Sequence, residues 1–236
     1  MIKDKSIIAL VPARGGSKGI KLKNLKKIFG KSLIHITSDF IDKCKFIDKK
    51  VISSDHKKIL SHANKLGFIT CKRPASLSGD RVPDNKVIIN AIKSLNKKFK
   101  IFPDYIIYLQ PTSPIRMIND LHNTLKKVIE KNYDSAWSLT KIDNKFHPLK
   151  VLNIKNNKVS LYSSKGKGII ARQMLDDKYI RNGVFYIFKV KSFMKYKTIY
   201  MKKTLPFITN HPHANIDSLT DLIMAKKIIS KKNYKI

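Results

Sequence analysis

Hydrophobic positions along this chain switch repeatedly between two rhythms. Short apolar runs at residues 6–11, 50–53, 68–71, 104–110 and 135–140 have the length of buried strands and are bounded by Pro, Gly, Ser or Asp. Between them apolar residues recur three and four positions apart. Leu33, Ile36, Phe40, Ile41 and Cys44 do so within residues 32–44, and Ile59, Leu60, Ala63 and Leu66 within 57–66. Val87, Ile88, Ala91, Ile92 and Leu95 form a third set, and Ile118, Leu121, Leu125, Val128 and Ile129 a fourth. That spacing puts one apolar stripe on each helix. Strand and helix thus alternate from residue 6 to residue 140, which predicts an α/β fold with a largely parallel, helix-covered sheet.

From residue 143 to about 179 the alternation stops. His147-Pro148-Leu149-Lys150, short strand candidates at 151–154 and 159–162, and the loop Ser163-Ser164-Lys165-Gly166-Lys167-Gly168 predict a β-rich excursion, an arm leaving the sheet. A strong strand at 184–190 follows Asn182-Gly183, and a helix over 218–230 closes the chain after Asn215-Ile216-Asp217.

The first strand runs into Pro12-Ala13-Arg14-Gly15-Gly16-Ser17-Lys18-Gly19. Three glycines and two cations in eight residues let the backbone approach a ligand while Arg14 and Lys18 supply charge, which suits a polyphosphate. The alternative is a surface turn whose glycines merely allow positive φ. The loop fits neither G-x-x-x-x-G-K-[ST] nor G-x-G-x-x-G. At the end of the 104–110 run stands Pro111-Thr112-Ser113-Pro114-Ile115-Arg116. In open α/β sheets the carboxyl edge of the strands is where ligands bind.

At 236 residues the chain has the length of one domain, residues 1–236, with its excursion. It shows neither a signal peptide nor an apolar segment long enough to span a bilayer, so a cytoplasmic protein away from the membrane is expected. Cys44 and Cys71 have no partner spacing that would suggest a disulfide scaffold or a zinc site. The formal net charge of +33 invites a nucleic-acid reading, but six of the 49 basic residues are Arg and the other 43 are Lys spread over every segment. Without a basic stripe or interleaved aromatics, the lysines read as solvated faces and no nucleic-acid partner is expected. The six arginines concentrate in Gly/Pro/Ser-rich loops or beside an Asn-Gly, where a rigid fork has a use.

Five segments together carry a family resemblance: the first loop with Lys23 and Asn24, residues 72–80 (KRPASLSGD), 109–116 (LQPTSPIR), 181–187 (RNGVFYI) and 216–222 (IDSLTDL). In this order, over roughly the whole chain, they resemble the acylneuraminate cytidylyltransferases (CMP-sialic acid synthetases), which activate nonulosonic acids. The resemblance implies a three-layer αβα nucleotide-diphospho-sugar transferase fold, Rossmann-like with a mixed sheet, and a small β-rich dimerisation arm at about 143–179. It implies a homodimer that takes CTP and an acylated sialic, legionaminic or pseudaminic acid to the CMP-sugar and pyrophosphate, with Mg²⁺ or Mn²⁺ as cofactor. The remaining alternatives are 3-deoxy-manno-octulosonate or another sugar as the acceptor, and a non-catalytic basic protein of this fold that binds nucleotide or nucleic acid.

Residue by residue, the resemblance puts Ala13, Arg14, Gly15, Ser17, Lys18, Lys23, Asn24, Arg73 and Asp84 on the nucleotide. Arg14, Lys18 and Lys23 act in catalysis with Asp217. Gln110, Thr112, Ser113, Arg116, Lys150, Arg172 and Asn182 face the sugar, Lys150 and Arg172 from the excursion of the same chain or of a partner. Asp217 and Asn215 hold the metal, although the family normally shows D-x-D where this chain has Asn215-Ile216-Asp217. Asp84 stands where the family often has Ser. Several of these residues have plainer readings. Gln110 could bond its own turn, Lys150 could be one more solvated lysine, and Asp217 could cap the last helix. His211 and His213, flanking Pro212, are loop residues or a general base.

Overall fold

The computed structural model describes residues 2, 4–17 and 19–231. Strand β1 (Ile7–Pro12) leads through the glycine-rich loop to a small hairpin, β2 (Lys27–Ile28) and β3 (Lys31–Ser32), and then to α1 (Leu33–Lys43). Next come β4 (Lys49–Ser54), α2 (Lys57–Lys65), β5 (Ile69–Lys72), α3 (Asp84–Phe99), β6 (Tyr105–Tyr108), α4 (Ile118–Glu130) and β7 (Ser135–Lys141). The excursion contains β8 (Leu152–Lys155) and β9 (Lys158–Leu161). The chain returns as β10 (Tyr179–Lys189) and finishes with α5 (Val190–Tyr196), β11 (Thr204–Ile208) and α6 (Leu219–Lys231).

Seven strands form one sheet in the order β11-β7-β10-β6-β1-β4-β5. Strand β10 runs antiparallel to both its neighbours, and the other pairings are parallel. The connections from β1 lead to β4 on one side, while β6 lies on its other side, so β1 marks the point where the winding reverses.

The two faces of the sheet bury separate cores. Ile7, Ala9 and Val11 of β1 point to the side covered by Ile34 and Ile41 of α1, Ile59 of α2 and Leu121, Leu125 and Val128 of α4. Ile8 and Leu10 point to the other, against Ile88, Ile92 and Leu95 of α3 and Phe193 of α5. The stripes of α2, α3 and α4 are as predicted, whereas α1 turns Ile34 to the first core and sends Leu33 and Ile36 elsewhere; together they give the helix–sheet–helix layering. A third cluster joins Ile28 of β2, Leu33 and Ile36 of α1, Ile216, and Ala225 and Ile229 of α6. It carries the end of the chain back to the glycine-rich loop.

Strands β8 and β9 pair only with each other, through a turn at Asn156 and Asn157, both at positive φ. The sequence reading ended the excursion at about residue 179 and began the sheet strand at residue 184. The structure begins β10 at Tyr179, with an irregular register between Arg181 and Tyr186 that contains Asn182-Gly183. It also forms α5 and β11, which the pattern did not predict.

Candidate active site

A cleft of about 440 Å³ opens at the carboxyl edge of β1 and β6, on the α3 side of the sheet. Its walls are the loop after β1, the segment 73–84 before α3, the turn after β6, and residues 215–217 ahead of α6. The first loop reaches this wall because Gly19 lies directly against the backbone carbonyl of Asp217, where a Cβ would collide. The turn after β6 is tied to the same segment by the Ile216 amide, which donates to the Thr112 carbonyl at 2.8 Å.

Of the residues expected on the nucleotide, Arg14, Ser17, Lys23, Asn24, Arg73 and Asp84 line this cleft. Arg14 reaches across to Asp80, Nη2 to Oδ1 2.7 Å. Lys23, 14% exposed at its side chain, bonds Asp217 Oδ1 at 2.7 Å. Asn24 is buried and its amide nitrogen donates to the Arg14 carbonyl at 3.1 Å, so it fixes the loop's path as well as facing the cleft. Arg73 is buried, yet its Nε and Nη2 have no partner among the described residues. Burial pushes its guanidinium pKa down, while Tyr108, Asp55 and Asp84 pull it back up. Buried donors without partners call for an acceptor, which a ligand in the cleft would supply.

Two other loop positions face inward. Ala13 is fully buried and its amide is already bonded to the Ser53 carbonyl at 2.9 Å. The Gly15 amide donates to Asp55 Oδ1 at 2.9 Å. Lys18 lies outside the described residues.

The residues expected on the sugar divide. Gln110 and Thr112 line the cleft. Ser113, Arg116 and Asn182 do not, and their bonds are to the protein itself. Arg116 is 8% exposed; it donates from Nη2 to the Gln110 carbonyl and from Nε to the Val184 carbonyl at 2.8 Å, and lies over the Phe40 ring. Burial pulls its pKa down to about 9. Asn182 sits at the centre of a buried network. Its Nδ2 donates to Thr140 Oγ1 at 3.0 Å and Thr209 Oγ1 at 2.8 Å, and its Oδ1 accepts from Ser138 at 2.6 Å. Ser113 donates to the Asn182 carbonyl. These three brace the turn after β6 and the irregular stretch of β10. Lys150 and Arg172 are exposed on the excursion and take no part in this chain's cleft.

At the far wall, Asn215 Nδ2 donates to Asp217 Oδ2 at 2.9 Å. Asp217 does not cap the last helix. Ser218 and Asp221 do so reciprocally: Ser218 Oγ accepts from the Asp221 amide at 3.2 Å and Asp221 Oδ2 accepts from the Ser218 amide at 2.8 Å. These bonds from the 217 and 218 amides hold the Asp221 carboxyl below its usual pKa, and they commit Asp221 to the cap rather than to a metal. Among the described residues no three His, Cys, Asp or Glu side chains gather into a metal site. A divalent ion here would therefore rest on one carboxylate, an amide carbonyl and the oxygens of its substrate, a donor set that suits Mg²⁺. His213 bonds Thr140 and His211 faces Asp120, and neither lines the cleft.

The sequence reading did not single out Tyr108 or Asp80. Tyr108 donates to Asp84 Oδ1 at 2.9 Å beneath the cleft, and burial first, then the Asp84 charge, raises its pKa. Its signal was present: it lies two residues before Gln110 in the run 104–110, where an extended chain would put both on one face, although β6 itself ends at Tyr108.

The chain matches the sequence profile of the Cytidylyltransferase family over residues 8–228. It is 28% identical over 232 residues to a pseudaminic acid cytidylyltransferase of Campylobacter jejuni, covering 96% of this chain and 97% of that one. It is 30% identical over 230 residues to a CMP-N,N'-diacetyllegionaminic acid synthase of the same species, covering 96% of each. Among solved structures, a CMP:2-keto-3-deoxy-manno-octonic acid synthetase complexed with CTP superposes with a TM-score of 0.70 at 14% identity, over 96% of this chain and 99% of that one. This last likeness bears on the fold, which is that of the nucleotide-diphospho-sugar transferases. With the profile matched over nearly the whole chain and the cleft at the edge where such a fold binds nucleotides, this protein belongs to the cytidylyltransferase family.

Proposed function

We propose that this cytidylyltransferase joins CMP to an acylated nonulosonic acid, of the pseudaminic, legionaminic or sialic class, with release of pyrophosphate. The observation that carries the reading is the meeting of Lys23 and Asp217 beside the glycine-rich loop, in one cleft with Arg73, whose buried Nε and Nη2 have no partner among the described residues. Relatives of nearly equal length that carry these activities in their names support the choice of sugar.

In this reading the triphosphate lies along the loop, with Arg14 and Lys23 balancing its charge. Both cations meet a carboxylate in the structure described, Asp80 and Asp217, so the phosphates would exchange places with these acids. Arg73 would hold the nucleoside, and Gln110 and Thr112 the sugar. The anomeric hydroxyl attacks the α-phosphorus in line. A bond forms from that oxygen to phosphorus, the bond to the bridging oxygen of the β-phosphate breaks, and the hydroxyl proton passes to solvent. Asp217 and the Asn215 carbonyl would hold Mg²⁺ or Mn²⁺. Such an ion supplies charge neutralisation at the phosphate oxygens.

The same proposal covers assembly and place. Cross-strand pairs Leu152–Leu161 and Ile154–Val159 put one apolar face on the β8–β9 hairpin, and all four side chains are exposed. A two-stranded hairpin is marginal alone, and a second copy would cover this face in a homodimer. Lys150 and Arg172 of one protomer would then face the cleft of its partner. Among the described residues no helix is long and apolar enough to cross a membrane, and the reaction would draw on the CTP of the cytoplasm. A steady-state assay tests the reading: pyrophosphate release should require CTP, a nonulosonic acid and a divalent ion together. Release with 3-deoxy-manno-octulosonate but none of the three nonulosonic acids would refute the assigned sugar.

A further inference from the structure

The exit of β4, residues 53–56, touches both parts of the nucleotide site, although none of these residues lines the cleft. The Ser53 carbonyl accepts from the Ala13 amide at 2.9 Å, and the Ser54 carbonyl from the Arg73 amide at 2.8 Å. These two bonds fix where the glycine-rich loop starts and where Arg73 enters. Asp55 makes the next contact, its Oδ1 accepting from the Gly15 amide at 2.9 Å. His56 closes the other side of Gly15: a Cβ at position 15 would come within 2.7 Å of the His56 Cβ and Cδ2. His56 is held in turn by the start of α2, its Nδ1 accepting from the Lys58 amide at 3.2 Å. Residue 15 is thus gripped on two sides, and its one backbone donor is committed to a carboxylate. The next residue, Gly16, is exposed, and a Cβ there would meet nothing within 4 Å.

Electrostatics alone would not put an acid here. The cleft beside it is read above as the seat of a triphosphate, and a nearby negative charge weakens the binding of a polyanion. The field of Asp55 also reaches Arg73: burial lowers that guanidinium's pKa, and Tyr108 and then Asp55 oppose the fall. What the position supplies is a strong, fixed acceptor. Gly15 has no side chain by which the loop could otherwise be held, and a stretch with three glycines has many conformations open to it. Affinity falls in proportion to the fraction of molecules in the binding-competent one.

We propose that Asp55 is a positioning residue: by holding the Gly15 amide it keeps the glycine-rich loop in the conformation that receives the triphosphate. The inference rests on the cytidylyltransferase reading above and adds to it what orders the loop before the nucleotide arrives. Asp55 acts through the loop and takes no part in the transfer step.

The test is a calorimetric titration of CTP into full-length wild type, D55A and D55N without any sugar, followed by KM for each substrate. D55A removes acceptor and charge together, whereas D55N removes the charge and keeps an oxygen for the Gly15 amide. In D55A the Kd for CTP should rise about tenfold, the scale of one lost hydrogen bond to a charged acceptor, with KM for CTP rising alike and KM for the sugar unmoved. In D55N it should stay near the wild-type value, the weaker acceptor being offset by the loss of a charge that repels the polyanion. CTP binding in D55A as tight as in wild type, or tighter, overturns the proposal. An equal loss in D55A and D55N also overturns it, because the charge and not the acceptor would then matter. So does a rise in both KM values with a lowered melting temperature, which is what damage to the fold would give. The expected pattern with CTP, in an enzyme that turns over none of the three nonulosonic acids, upholds the proposal and refutes the assigned sugar. A wild type that does not bind CTP removes the assigned reaction and the proposal with it.

Discussion

Lys23 and Asp217 stand 194 positions apart in the chain and meet as an ion pair of 2.7 Å. The contact exists because the third hydrophobic cluster, through Ile28, Ile36, Ile216 and Ile229, docks α6 and the residues before it against α1 and the β2–β3 hairpin. With Ser218 and Asp221 capping the helix, Asp217 is left to the cleft. Asp217→Asn should therefore lower kcat for pyrophosphate release by about a hundredfold or more, the usual scale for losing one preorganised electrostatic contribution, here that of the ion Asp217 would hold. It should also raise the metal concentration needed for half-maximal rate, with little change in melting temperature. An unaltered metal requirement would separate Asp217 from the ion.

Gly19 is a packing requirement. Gly19→Ala places a methyl group against the Asp217 backbone carbonyl, so the loop or the segment 215–217 must move. Overpacking of this kind costs about 1–3 kcal/mol. The expected outcome is a modest drop in thermal stability with a larger drop in kcat/KM for CTP. Crystallography or protection from proteolysis by CTP would show which of the two segments gave way.

Arg116 belongs to the scaffold. Arg116→Met would leave the Val184 carbonyl without this donor and the Gln110 carbonyl with only the Ser113 amide, at about 1–3 kcal/mol for an unsatisfied group in the interior. In a protein of this size each kcal/mol moves the melting point by about 2–4 °C. The variant should melt several degrees lower by calorimetry, and at a temperature where it remains folded its KM for sugar should stay near wild type. A sugar KM raised tenfold with an unmoved melting point would return Arg116 to the binding site.

The two cysteines give a pH prediction. Burial pushes the Cys44 thiol up to about 12 and the Cys71 thiol up to about 11, from 9.0. Their folded pKa values are raised, so the unfolded chain loses these protons first as the pH rises. The stability they contribute is complete below about pH 9 and is lost as the pH climbs from there towards 11–12. Denaturant titrations of wild type and a Cys44→Ala/Cys71→Ala double variant at pH 7.5 and 10 should show wild type losing more stability between the two. Thiol reagents should leave both cysteines unmodified in the native protein and modify both after unfolding.

The parts of this fold that could be read from the sequence are those whose side chains face one environment along their length. The β1 to β7 portion alternates strands buried on both faces with helices carrying one apolar stripe, and periodicity alone places them. Strand β11 escaped because Pro206 interrupts it. That proline is tolerated since β11 pairs only with β7, at the edge of the sheet. Helix α5 is seven residues, too short to show a period. In the site, the loop residues and Asp217 declare themselves by charge and glycine, whereas Arg116 and Asn182 sit in matching motifs yet are buried among protein partners. A motif letter does not distinguish a residue that touches a ligand from one that holds the residue that does. In the sequence Arg181 is an arginine beside Asn-Gly, but its aromatic neighbours, Trp137 and Tyr200, come from distant parts of the chain and could not be read there.

The most direct test of the account is a crystal structure of the protein with CTP and Mg²⁺. The triphosphate should follow residues 14–17 to Lys23, Arg14 and Lys23 should turn from Asp80 and Asp217 to phosphate oxygens, and the nucleoside should meet Arg73. A triphosphate bound elsewhere, with the Lys23–Asp217 pair intact and the Arg73 donors still unmet, would contradict it.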